Sequence, residues 1–145
     1  MEANCEVQRI VRKDHWLRLS CLQQDGFGFL ESVYEKCLLI ELAKAGLQAE
    51  AQKEITFYYE NEVVGEFIAD VVVENLVILE LKSVKRIVKA HEVQLVNYLT
   101  ATYKDVGLIL NFGEKGVEVK RKVRDLNDLR GQSDWLPRNI SHKNE

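Results

Sequence analysis

Between Phe29 and Ala45 the apolar residues Leu30, Val33, Tyr34, Cys37, Leu38 and Leu42 recur at steps of three and four, the spacing of one helical face. Gly46 follows where a left-handed residue commonly ends a helix, so this stretch predicts a helix with its own C-terminal cap. Upstream, Val7 to Gln24 carries Ile10, Val11, Leu17, Cys21 and Leu22 at mixed helical spacings before the break Asp25-Gly26-Phe27-Gly28, which predicts a first helix. The period then shortens. Ile55 to Tyr59, Val63 to Val73 and Leu76 to Leu81 are rich in β-branched and aromatic residues, and predict three strands joined by hairpins. Glu60-Asn61 and the Glu74-Asn75 region supply the turns, because Asn tolerates the left-handed conformation. Ala90 to Thr102 returns to helical texture, Val106 to Phe112 is an apolar run, and Val117 to Val123 alternates apolar with charged residues like an edge strand. The order α-α-β-β-β-α-β-β predicts an α/β fold with a mixed β-sheet flanked by helices.

Composition narrows the class. With 145 residues, 46% hydrophobic and 30% charged, the chain can bury a core without disulfides or a structural metal. No linker or repeat divides it, so residues 1–125 are expected to form one domain and 126–145 a loosely held tail. Cys5, Cys21 and Cys37 are odd in number and lack CxxC spacing, which fits a reducing cytoplasm and gives no zinc site. No apolar run approaches the ~20 residues of a membrane span. A net charge of -3 confines any nucleic-acid footprint to a local patch. Two basic clusters qualify: Lys82, Lys85, Arg86 and Lys89, and then Lys115, Lys120, Arg121, Lys122 and Arg124, although each taken alone reads as a solvated charged face.

Two acids interrupt apolar strands where charge is costly: Asp70 within Phe67-Ile-Ala-Asp-Val-Val-Val and Glu80 within Val77-Ile-Leu-Glu-Leu-Lys82. A lysine partner for Glu80 and a strand-end role for Asp70 would account for either acid by itself. A bound Mg²⁺ or Mn²⁺ would account for both, since hard cations take carboxylate oxygens with waters and phosphate. Because strand side chains alternate, Glu80 and Lys82 point the same way, and a lysine beside a scissile phosphate can orient the attacking water and stabilise developing negative charge.

The run Asp70-x₉-Glu80-Leu81-Lys82 resembles the active-site signature of the PD-(D/E)XK nuclease superfamily. Gly28-Phe29-Leu30-Glu31-Ser32-Val33-Tyr34 resembles the motif that names its GxxExxY family. The likeness continues through Gln94-Leu-Val-Asn-Tyr98-Leu and Leu108-Ile-Leu-Asn-Phe-Gly113, covering roughly residues 10 to 124. The resemblance implies a restriction-endonuclease-like core and a metal-dependent nuclease, with Asp70, Glu80 and Glu31 as metal ligands and Lys82 as the fourth catalytic residue. It also implies nucleic-acid contacts from Gln94 and Tyr98, joined by Lys85 and Arg86 of the basic cluster. Two departures concern substrate: the family's His-x-x-Leu-Gly-Pro-Gly is replaced by Leu22 to Gly28, and Ile68 stands where an arginine is common.

Two rivals remain: a catalytically inactive binding module of the same fold, or an assembly domain that forms a homodimer through the Val117 to Val123 edge. DNA and RNA are not distinguished. One geometric requirement separates these readings. A two-residue turn at Glu74-Asn75, which the local sequence favours, would pair Val73 with Leu76 and put Asp70 and Glu80 on opposite faces of the sheet. A shared ion requires pairing of Val73 with Val77, with Glu74-Asn75-Leu76 as a three-residue loop in which Leu76 would be a poor left-handed residue.

Overall fold

A computed structural model describes residues 2–17, 19, 31–113 and 116–124. The elements run α1 (Glu2–Ile10), α2 (Asp14–Leu17), α3 (Glu31–Lys44), β1 (Ala49–Tyr59), β2 (Glu62–Val73), β3 (Val77–Lys82), α4 (Lys89–Thr102), β4 (Val106–Gly113) and β5 (Gly116–Val123). The expected order is present, while three boundaries differ. β1 begins at Ala49, well before Ile55. The helix foreseen from Val7 starts at Glu2 and breaks after Ile10, giving α1 and α2. On an unbroken helix Ile10 and Trp16 would project roughly 120° apart. The break lets both be buried. The tail 126–145 and the Asp25 to Gly28 break lie outside the described residues.

The five strands form one sheet in the order β1-β2-β3-β4-β5. β1, β2 and β3 are antiparallel neighbours, β3 and β4 are parallel through the α4 crossover, and β5 returns antiparallel to β4 at the edge. The fold is thus a mixed sheet flanked by helices, of the restriction-endonuclease-like kind.

Local chemistry explains the joints. Glu60 and Asn61 take φ of 47° and 68° in the tight β1–β2 turn that pairs Tyr59 with Glu62. At the end of α3, Gly46 has φ 75°, its N–H donates to Ala43 O at 3.0 Å, and Leu47 N–H donates to Leu42 O at 3.0 Å. This is a Schellman cap, and Leu47 and Leu42 are packed in the same core.

Two cores lie on opposite faces of the sheet. Under α1, α2 and α3, Tyr34, Leu38 and Leu42 meet Val71, Val73, Val77, Leu79, Leu81 and the β4 residues Leu108, Leu110 and Phe112. Under α4, Leu95, Tyr98 and Leu99 meet Ile55, Ala69, Val72, Ile78 and Ile109. Gly107 lets α4 approach closely, since a Cβ there would stand 2.8 Å from Leu95 Cδ1.

One irregularity in β2 shapes the sheet. Ala69 belongs to the α4 core but Val71 to the α3 core, so the alternation of β2 fails at Asp70. Across from it Gln52 has φ 55°, between the regular pairs Ala51 with Val71 and Lys53 with Ala69. The β1–β2 ribbon bends at this point. Its hairpin end turns over α4, where Phe57 packs on the core.

Candidate active site

The β2–β3 register pairs Val73 with Val77, Val72 with Ile78 and Val71 with Leu79. This is the register a shared ion requires, reached against the local preference. The left-handed residues are Glu74 (φ 52°) and Asn75 (φ 53°), and not Leu76. Leu76 N–H donates to Val73 O at 2.9 Å, closing a tight turn with Leu76 as the extra residue before pairing begins. Tertiary bonds hold Glu74 in place: its N–H donates to Gln48 O at 2.7 Å, and its Oε1 accepts from Gln48 N–H at 2.8 Å.

Carried one step on, the register brings Asp70 opposite Glu80. There the ladder passes from backbone to side chains. Asp70 N–H donates to Glu80 Oε1 at 3.3 Å, and Leu81 N–H donates to Asp70 Oδ2 at 2.8 Å. The carboxylates replace the backbone bonds lost where β2 bends away, and both are thereby fixed at the opening between the strands.

Glu80 is buried, and its carboxyl is pushed up to about 8, first by burial and then by the charge of Asp70. A hydrogen bond between the two carboxyls adds to the rise, whereas the Asp70 backbone N–H and the Lys82 charge oppose it. Two carboxyls crowded together in this way are a site that gains from a cation. Tyr98, on α4, has its hydroxyl raised by burial, then by Glu80 and then by Asp70, so it belongs to the same neighbourhood. Gln94 donates to the Tyr98 hydroxyl at 2.9 Å, one helical turn away. Lys82, half-buried, follows Glu80 at the end of β3, and no salt bridge engages it among the described residues.

Glu31 stands differently. α3 packs on the opposite face of the sheet, anchored at its first turn by Tyr34, which stacks on Phe112 with ring centroids 4.1 Å apart. From there Glu31 Oε1 accepts from Ser83 N–H at 3.2 Å, past the end of β3. The motif spacing is thereby explained: Tyr34 fixes the helix, and Glu31, three residues earlier, reaches the rim. Glu31 is brought to the segment beside Lys82 and not into the Asp70–Glu80 pair. No group of three or more His, Cys, Asp or Glu side chains placed to hold a metal occurs among the described residues.

Lys85 and Arg86 are exposed in the loop between β3 and α4. Asn111, almost fully buried, pins that loop: its Nδ2 donates to Val84 O at 2.9 Å and its Oδ1 accepts from Val84 N–H at 3.0 Å. The sequence offered one signal for this role, a polar residue inside the apolar run Leu108 to Phe112. His91 accepts from Val88 N–H at 3.1 Å, which makes it part of the α4 start. In the second basic cluster, Lys122 pairs with Glu92 at 3.2 Å and Arg124 with Asp105 at 2.9 Å, so those charges serve β5 and its neighbours.

The donor set suits a hard divalent cation. Mg²⁺ and Mn²⁺ are commonly held by one or two carboxylates with the remaining positions filled by water and phosphate oxygen.

The family model that matches, over residues 17–123, is that of the PD-(D/E)XK nuclease superfamily, and the chain belongs to that superfamily. Its nucleases typically use divalent metals and act on nucleic acid. Among solved structures, the crystal structure of SSO0001 is similar with a TM-score of 0.54 and 16% identity, over 68% of this chain and 52% of that one. The chain thus spans about half the length of that structure, and the likeness is one of fold. No curated protein matches. No helix among the described residues is long and apolar enough to cross a membrane.

Proposed function

We propose that this chain is a metal-dependent nuclease of the GxxExxY family that hydrolyses phosphodiester bonds of DNA or RNA in the cytoplasm, with residues 1–125 as its single domain and 126–145 as a tail. The observation that carries the proposal is the meeting of Asp70 and Glu80 at the bend of β2, with Lys82 on β3 two residues after Glu80. Asp70 and Glu80 would hold Mg²⁺ or Mn²⁺, with Glu31 assisting from the rim. A cation held there would supply charge neutralisation at the phosphate and a more acidic water. Lys82 would orient the attacking water and stabilise the charge that develops on the phosphoryl oxygens. Tyr98, and Gln94 bonded to its hydroxyl, would contact the nucleic acid on the α4 side, and Lys85 and Arg86 would offer phosphate contacts from the loop that Asn111 fixes. A binding module without catalysis is the second reading, favoured by the separation of Glu31 from the acid pair.

The test is a pair of measurements on wild type, Asp70→Ala and Lys82→Ala. Saturating Mn²⁺ is expected to stabilise wild type by about 3 kcal/mol at a hundredfold excess over Kd. Asp70→Ala is expected to lose that response. Lys82→Ala should retain it while losing roughly 10²–10³ in cleavage rate. A metal response without cleavage of any DNA or RNA would favour the binding module, and unchanged cleavage in Lys82→Ala would remove that residue from the chemistry.

A further inference from the structure

The β1–β2 hairpin and α4 enclose a groove of about 620 Å³, well within the size range of ligand sites. Its walls are aromatic. Phe57 and Phe67 meet edge to face with centroids 4.9 Å apart, and Phe67 lies 5.8 Å from Tyr98. Although large and apolar, Phe67 is 42% exposed and Tyr58 is 52% exposed. Gly65 makes room for this arrangement, since a Cβ there would stand 2.8 Å from Phe67 Cε2.

We propose that this groove receives an unpaired base of a single-stranded nucleic acid whose phosphate is presented to Asp70 and Glu80, so that single strands are the substrate class of this site. The proposal deepens the nuclease reading and rests on it. Continuity carries it first: Tyr98 lines the groove and also packs in one core with Ala69 and Ile78, neighbours of Asp70 and Glu80 along their strands, so a nucleotide on the rings would have its backbone near the carboxyl pair. Charge comes second. In a chain of net charge -3, no acidic side chain among the described residues lines the groove, while Lys89, Gln94, Asn97 and Thr100 do, a lining that accepts a polyanion and offers hydrogen bonds to a base edge. The third argument is steric: a base stacked in a duplex presents only its edges, and reaching the face of Phe67 or Tyr98 requires it to be unpaired. An unpaired base in RNA or DNA satisfies the same chemistry.

Fluorescence anisotropy in EDTA tests this without cleavage, using labelled oligodeoxythymidine, oligouridine and a DNA duplex of equal length. Wild type is expected to bind at least one single strand about tenfold or more tightly than the duplex, and Phe67→Ala to lose about tenfold on that strand with duplex binding unchanged. The tighter arm assigns the sugar. Gly65→Ala, which displaces the Phe67 ring, should show a smaller loss in the same direction. Both variants are expected to keep a cooperative melt, and photocrosslinking of iodouracil-labelled strands should map to Phe57, Phe67 or Tyr98. Equal affinity for duplex and single strand overturns the proposal, as does unchanged single-strand binding in Phe67→Ala. A dimer in ultracentrifugation that Phe67→Ala converts to monomer would overturn it by assigning the groove to a second copy. Failure of the two readings is distinguishable. Metal-dependent cleavage whose strand preference survives Phe67→Ala leaves the nuclease and removes the groove, whereas Phe67-dependent strand binding without cleavage under any metal keeps the groove as a binding site and removes the nuclease.

Discussion

The two faces of the sheet are built from the same strands and differ in what they bury. The α3 face is mainly aliphatic and aromatic, with Tyr34, Leu38, Leu42, Val77, Leu79, Leu81, Leu110 and Phe112 all nearly or fully inaccessible, and the buried His15 of α2 on that side is bonded to Arg9 O at 2.9 Å. The α4 face carries a smaller apolar core, and beside it Glu80, Asn111, Tyr98 and an aromatic groove. One face supplies stability by excluding water, and the other spends some of it on keeping carboxyls and an amide out of water. β3 and β4 serve both faces by plain alternation, whereas β2 shifts its alternation at Asp70, with Ala69 in one core and Val71 in the other. The shift falls where the two carboxyls meet.

The largest contrast is expected from truncation on the dry face. Leu38→Ala removes a fully buried side chain and should cost ~2–5 kcal/mol in urea unfolding. A cost below about 1 kcal/mol would show that the α3 face collapses around the gap and is not the rigid half of the molecule.

On the α4 face the sign should reverse. Glu80 has its carboxyl raised from 4.5 to about 8, so between those values the folded protein keeps a proton that the unfolded chain has released. Stability contributed by this group therefore falls as pH rises through that window. Glu80→Gln removes both the buried charge and this dependence, and at pH 8 should raise stability by about 1–3 kcal/mol. The apparent affinity for Mn²⁺ in wild type should rise over the same interval, because protons compete for the carboxyl. Melts at pH 5 and pH 8 check the first expectation. Equal Glu80→Gln gains at both values would mean that the carboxyl titrates as an ordinary exposed acid.

The smallest effect sharpens the comparison from within α4. Tyr98→Phe keeps the ring in its core and removes only the hydroxyl that Gln94 contacts, so unfolding should change by less than about 1 kcal/mol. A larger loss would show that the polar neighbourhood, and not the apolar packing, holds α4 to the sheet.

Residue pattern alone determined much of this protein. The stripe Leu30 to Leu42 predicted α3, Gly46 its cap, Glu60-Asn61 the first hairpin, and the apolar run Val106 to Phe112 the strand β4, because each follows from local periodicity or backbone preference. The run from Asp70 to Lys82 and the Glu31–Tyr34 spacing pointed to the superfamily. Three things lay beyond any local rule. The β2–β3 register opposes the preference of the Glu74-Asn75 turn and is held by Gln48, distant in sequence and adjacent in space. The division between α1 and α2 follows from burying both Ile10 and Trp16. Glu31 lies beside Ser83 and not with the acid pair, because Tyr34 stacks on Phe112 and thereby commits α3 to the far face. Spacing fixes which side chains share an element's face. Which faces meet is decided only when distant apolar surfaces compete for burial, a free energy that belongs to the whole sheet and to no single segment.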